Sequence, residues 1–301
     1  MEHIKGLVAP VHTPMHPDGS LNLELADLIV AHLDRWGVAG IFVCGSTGEG
    51  LSLSVAERED TAEAFAEAAR DRMRIIIHVG HNALGEARKL AGHAQKLGVD
   101  AVAVSPPSYF KPNSAETVAR CIRDVAQAAP ELPVYYYHIP ALTGVHIDVL
   151  ELLQMADVVC PQLAGVKFTF EDVRDLAQCV AFEGGRYDIL FGRDEMLLSA
   201  LVVGCRGAVG STYNYAAPVY TRMMAAFDSG DLDEARAMQL RAARLVGVVH
   251  RFGGGRAHKA VMNLIGIDCG PCRLPLETLT PDEMRALEAD LRAIGFFEWI
   301  G

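Results

Sequence analysis

Eight short apolar runs, alternating with longer stretches of helical pattern, constrain this chain more than any other feature. The runs are Gly6 to Val11, Gly40 to Cys44, Arg74 to Val79, Ala101 to Ser105, Val134 to His138, Gly165 to Phe168, Ile189 to Phe191 and Ala208 to Ser211. They are apolar throughout rather than at every second residue, which predicts strands covered on both faces, hence a parallel sheet beneath helices. Between them, Leu23 to Trp36, Val55 to Ala69, Ala83 to Leu97, Ala115 to Ala128 and Glu171 to Val180 repeat apolar residues at helical spacing. Eight units within residues 1–217 predict an α/β fold closed as a (β/α)8 TIM barrel rather than an open doubly wound sheet. Residues 218–301 carry helical pattern only, in Tyr220 to Phe227, Leu232 to Arg251, Ala257 to Ile265 and Pro281 to Ile294. They predict a C-terminal helical extension packed on the barrel.

The 38 acidic residues outnumber the 27 basic ones without long single-sign runs, which argues against nucleic acid or an anionic membrane as partner. A small-molecule enzyme is the class expected, with a non-enzymatic binding protein on the same fold as the alternative. The first residues hold no basic segment followed by an apolar core, and no apolar run approaches the ~18 residues of a spanning helix, so a soluble cytoplasmic protein is expected. The seven cysteines, odd in number and scattered through apolar segments, predict free thiols. Cys269-Gly270-Pro271-Cys272 has redox spacing but sits in a late Gly/Pro turn, so no redox role is expected. His78-Val79-Gly80-His81 lacks a nearby carboxylate in a ligand motif, so no metal and no other cofactor is expected.

In such a barrel the chemistry gathers where the strands end. Gly165-Val166-Lys167-Phe168-Thr169 puts a lone lysine at an apolar strand end. Desolvation lowers a lysine pKa and frees its lone pair for attack on a carbonyl, although the pentapeptide alone also suits an amine that snorkels to solvent. Gly45-Ser46-Thr47-Gly48-Glu49 follows the second strand as a tight turn with two hydroxyls, suited to a carboxylate or phosphate as well as to a plain turn. In Tyr135-Tyr136-Tyr137-His138, alternation sends neighbouring tyrosines to opposite sides of the sheet, so only a subset can face the barrel interior. Gly192-Arg193-Asp194-Glu195 is either a helix start or a set of acceptors for hydroxyls, and Gly207 to Thr212 is small enough to admit a ligand closely.

Taken in order, Gly45 to Glu49, Tyr137 to Gly144, Gly165 to Thr169 and Gly192 to Asn214 resemble the signature of the pyruvate-dependent class I aldolases. This family includes N-acetylneuraminate lyases and dihydrodipicolinate synthases, and the resemblance runs over essentially the whole chain. Tyr135 to Gly144, Asp194 to Leu201 and Gly207 to Tyr215 look like the lyase branch. Ala141 and Leu142 stand where the synthases usually carry an arginine for a dicarboxylic substrate. The resemblance implies metal-free, reversible cleavage of a sialic acid, with Lys167 forming a Schiff base and Tyr137 shuttling protons. It implies that Ser46 and Thr47 hold the pyruvate-end carboxylate, and that Thr169, Gly192, Asp194, Glu195 and Ser211 contact the sugar. Tyr109 matches a relay tyrosine that part of the family supplies across a subunit contact, and a homotetramer is implied. Aldolases or dehydratases of 2-keto-3-deoxy sugar acids, and dihydrodipicolinate synthase, are the alternatives within the family.

Overall fold

The computed structural model of the protein describes residues 2–300. Its strands are β1 (Gly6–Pro10), β2 (Gly40–Val43), β3 (Arg74–His78), β4 (Ala101–Val104), β5 (Val134–His138), β6 (Leu163–Phe168), β7 (Asp188–Phe191) and β8 (Gly207–Val209). All neighbours pair in parallel, and β8 pairs back onto β1, so the sheet closes into an eight-stranded barrel in sequence order.

Each strand divides its side chains between two cores. Val8, Phe42, Ile76, Ala103, Tyr135, Tyr137, Leu190 and Val209 fill the barrel, while Leu7, Ile41, Ile77, Val104, Tyr136, Val166, Phe168 and Phe191 meet the surrounding helices. Both faces are therefore dry, which is why the strands read as continuous apolar runs. The amino-terminal end of the barrel is tied off by Asp188, whose carboxylate accepts from Tyr135 Oη at 2.7 Å and Ile4 N at 3.0 Å. Gly165 is required beside it, because a Cβ there would lie 2.2 Å from the Asp188 carbonyl oxygen.

The expected helices are present at Ala26–Arg35, Val55–Ala69, Leu84–Leu97, Ala115–Ala126 and Val173–Ala181. Ser54, Ser114 and Asp172 cap three of them by accepting from a backbone N–H three residues on. Two further crossover helices, Val149–Val159 and Leu197–Val202, were not marked by pattern. The first buries a stripe of Val149, Leu152, Leu153 and Ala156, blurred in the sequence by further apolar residues outside it, and the second has only six residues.

After β8 come helices Tyr213–Asp228, Leu232–Arg251, Gly255–Leu264, Pro281–Ala293 and Phe296–Ile300. The first runs across the boundary at residues 217 and 218, beside a break at Ala216 and with Pro218 inside it. Gly253 and Gly254, at φ of 88° and 57°, turn the chain from the second to the third, a conformation that glycine adopts without strain. This turn brings the tail over the barrel mouth. No helix among the described residues is long and apolar enough to cross a membrane.

Candidate active site

β5, β6 and β7 are in register at one level, where Tyr137 pairs with Lys167 and Lys167 with Leu190. Lys167 lies between Val166 and Phe168, which both face outward, so its side chain must enter the barrel. It is 3% exposed, and its Nζ stands 3.8 Å from the centroid of the Phe42 ring and 4.0 Å from that of Tyr137. Burial among aromatic rings lowers its pKa to about 7, against a smaller opposing pull from the Asp194 carboxylate. The amine is inside the barrel, not snorkelling.

Tyr137 Oη lies 3.3 Å from Ser46 Oγ, and burial pushes the phenol up to about 12, so it keeps its proton near neutrality. The turn that carries Ser46 and Thr47 is held in an uncommon backbone shape. Cys44 and Glu49 both have positive φ, 57° and 55°, which is costly for side chains of their kind. Gly50 must lack a Cβ, since one would lie 1.9 Å from the Cys44 carbonyl oxygen. Thr13 Oγ1 donates to the Gly48 carbonyl at 2.7 Å, and His78 Nδ1 donates to that of Cys44 at 3.0 Å.

Glu49 anchors the same turn to the C-terminal tail. Its carboxylate is 2.7 Å from Lys259 Nζ, with both side chains 3% exposed or less, and it accepts from Arg273 N at 2.7 Å. Lys259 also donates to the Pro271 carbonyl at 2.8 Å, and the Arg273 guanidinium pairs with Glu57. Sequence reading missed this clamp.

The wall formed by β6, β7 and β8 carries the polar groups. Thr169 N and Gly192 N continue the strand ladder to the His138 and Phe168 carbonyls, each at 2.8 Å. A Cβ at position 192 would lie 2.1 Å from Thr169 Oγ1, a buried hydroxyl with no partner among the described residues. Asp194 is 5% exposed and accepts from Thr212 N at 2.9 Å and Thr212 Oγ1 at 2.6 Å. Because Thr212 Oγ1 gives its one proton to Asp194, the Tyr220 phenol 2.6 Å away must donate to it. Burial raises the Asp194 carboxyl to about 6. Its Oδ1 sits over Gly210, where a Cβ would lie 2.0 Å away.

Ser46, Thr47, Tyr137, Lys167, Thr169, Gly192, Asp194, Glu195 and Ser211 line one cavity of about 470 Å³, closed on the tail side by Val246, His250, Gly253, Gly255, His258 and Leu276. Nine of the ten expected site residues thus meet in one place. Tyr109 does not line it; it is 77% exposed, edge-on to Phe110 with ring centroids 5.0 Å apart. His78 accepts from Ser105 Oγ at 2.9 Å while donating to Cys44, so both its nitrogens are engaged. No cluster of metal-ligating side chains occurs among the described residues. Cys269 and Cys272 are both free thiols.

The dihydrodipicolinate synthetase family matches residues 3–294. The chain belongs to that family. Among its relatives, the N-acetylneuraminate lyase of Rattus norvegicus is 43% identical over 303 residues, covering 99% of this chain and 95% of that protein. The N-acetylneuraminate lyase of Homo sapiens is 42% identical over 301 residues, covering 98% and 94%. The solved structure of Proteus mirabilis N-acetylneuraminate lyase superposes with a TM-score of 0.95 at 38% identity, covering 98% of this chain and all of that one.

Proposed function

We propose that this family member is an N-acetylneuraminate lyase, which cleaves N-acetylneuraminate reversibly to pyruvate and N-acetylmannosamine through a Schiff base on Lys167. The observation that carries the mechanism is the buried Lys167 amine beside the Tyr137 ring, under a wall of hydroxyls and carboxylates. The kind of reaction is supported by relatives of that name over nearly the full chain.

In this reading the Lys167 amine attacks the C2 ketone of the open-chain sugar acid, and loss of water gives the iminium. The C4 hydroxyl then loses its proton, the C3–C4 bond breaks, and its electrons pass to the iminium as an enamine. Tyr137, held as a neutral phenol, relays rather than ionises. It takes the C4 proton as it passes its own to the substrate carboxylate. Protonation of C3 and hydrolysis of the imine release pyruvate and free the lysine.

Ser46 and Thr47 hold the substrate carboxylate by their hydroxyls, and Thr169, Asp194, Glu195 and Ser211 bind the polyol, with Gly192 leaving it room. A carboxylate accepts from two neighbouring O–H groups, so the acidic pair suits a chain of hydroxyls. Leu142, 65% exposed at the cavity edge, offers no cation to a second substrate carboxylate, which weighs against dihydrodipicolinate synthesis. The proposal extends to a homotetramer in the cytoplasm, on the resemblance alone, with Tyr109 as a relay from a neighbouring subunit.

The test is pyruvate release from N-acetylneuraminate by the purified chain in the presence of a chelator, alongside 2-keto-3-deoxygluconate. Release from the first supports the lyase. Turnover of the second alone moves the activity to the shorter sugar acids.

A further inference from the structure

One residue of the cavity wall has no part in the mechanism above and has a defined hydrogen-bonding state. His258, half-buried on helix Gly255–Leu264, lines the cavity from the tail side. Its Nδ1 lies 2.6 Å from the phenol oxygen of Tyr215, a side chain with no exposure. That phenol has no other hydrogen-bond partner among the described residues, so its proton is satisfied there only if it donates to Nδ1. Burial keeps the imidazole neutral near pH 7, its pKa lowered to about 4. The ring proton is therefore on Nε2, because the bond made by one nitrogen fixes the tautomer at the other. With Nδ1 taken by the buried Tyr215, Nε2–H is the polar group that the His258 ring has left to offer the cavity it lines.

The other polar groups of the wall are of a different kind. Asp194 and Glu195 accept hydrogen bonds, and Ser211 and Thr169 both give and take, so together they suit substrate hydroxyls. A neutral N–H can only donate, so it suits best an acceptor with no proton of its own to place, though a hydroxyl lone pair would also take it. With the carboxylate and the ketone of the sugar acid engaged by Ser46, Thr47 and Lys167, the acceptor of that kind left on an N-acylated substrate is the amide carbonyl. Gly253 and Gly255, beside His258 on the same wall, present no side chain where an acyl methyl would extend.

We infer that His258 is a specificity-determining residue, whose Nε2–H donates to the carbonyl oxygen of the substrate N-acyl group and whose tautomer is set by Tyr215. This rests on the sialic acid reading given above and names the part of the substrate that the tail recognises. The cleavage chemistry does not pass through it.

The experiment compares N-acetylneuraminate with the analogue that carries a hydroxyl in place of the acetamido group, using wild type, His258→Leu and His258→Gln. Wild type is expected to favour the N-acyl substrate. His258→Leu should lower kcat/KM for that substrate about 5- to 10-fold, mostly through KM, and leave the hydroxyl analogue within about twofold. His258→Gln, which keeps a donor, should recover part of the preference. An equal loss on both substrates, or an unchanged preference in His258→Leu, overturns the assignment while leaving the lyase reading standing. A wild type that cleaves both substrates without preferring the acylated one also overturns the assignment alone, and one that turns over neither overturns both.

Discussion

Replacing Lys259 by methionine probes the clamp that joins the barrel to the tail. The change removes Nζ from a site where neither Lys259 nor Glu49 is more than 3% exposed. It leaves the Glu49 carboxylate with one remaining donor, the Arg273 N–H at 2.7 Å, and leaves the Pro271 carbonyl without its 2.8 Å partner. The Lys259 contact with Glu49 is close at 2.7 Å but is not aligned as a hydrogen bond, so what is lost there is mainly charge compensation. Removing one partner of a buried pair costs roughly 3–5 kcal/mol. At about 2–3 °C per kcal/mol for a chain of this size, Tm falls by roughly 6–15 °C. Glu49 also holds the turn that presents Ser46 and Thr47, so KM for the keto acid should rise while the Schiff base on Lys167 still forms. The double change Glu49→Gln with Lys259→Met removes both charges and should regain much of the lost Tm, since a pair replaced by neutral groups is often nearly neutral in stability. Thermal scans at one scan rate and protein concentration, with steady-state kinetics below the lowered Tm, read both effects. A Lys259→Met protein with wild-type Tm and KM would refute the clamp.

Three shorter predictions concern the titration of Lys167 and the role of Tyr137. With Lys167 lowered to about 7, kcat/KM should fall about tenfold per unit of pH below pH 7 and steepen below about 6, where Asp194 takes up a proton; a profile flat to pH 5 contradicts this. By the same shift the folded protein binds fewer protons than the unfolded chain between about pH 7 and the ordinary lysine value of 10.5, so this site adds stability as pH rises through that window. Tyr137→Phe should retain the borohydride-reducible adduct but lower kcat by about 10²- to 10⁴-fold, and near-normal kcat in that variant would remove Tyr137 from the proton relay.

The barrel was legible because its strands are dry on both faces and so stand out as unbroken apolar runs, and all eight runs overlap the observed strands. The strand ends follow from the same pattern, which is why the sequence alone puts Lys167, Tyr137 and the Ser46–Thr47 turn at one mouth. Helix Val149–Val159 was legible in principle, since its buried Val149, Leu152, Leu153 and Ala156 fall at helical spacing, but apolar Val158 and Val159 outside that stripe blur its edge. The Glu49–Lys259 pair and the placing of His258 escaped for a different reason. Each joins a barrel loop or cavity to a tail helix far away in sequence, and no local pattern in a stretch such as Arg256-Ala257-His258-Lys259 says which barrel loop it will meet. Tyr109 was legible only by resemblance, and a single chain leaves it exposed.

The central claim is that Lys167 forms the covalent bond. Incubation with pyruvate and borohydride, followed by intact-mass measurement and peptide mapping, tests it most directly. The account predicts one reduced pyruvate adduct per chain, on the peptide containing Lys167, and neither adduct nor turnover in Lys167→Ala. An adduct on another lysine, or a Lys167→Ala protein that cleaves substrate at the wild-type rate, would contradict it.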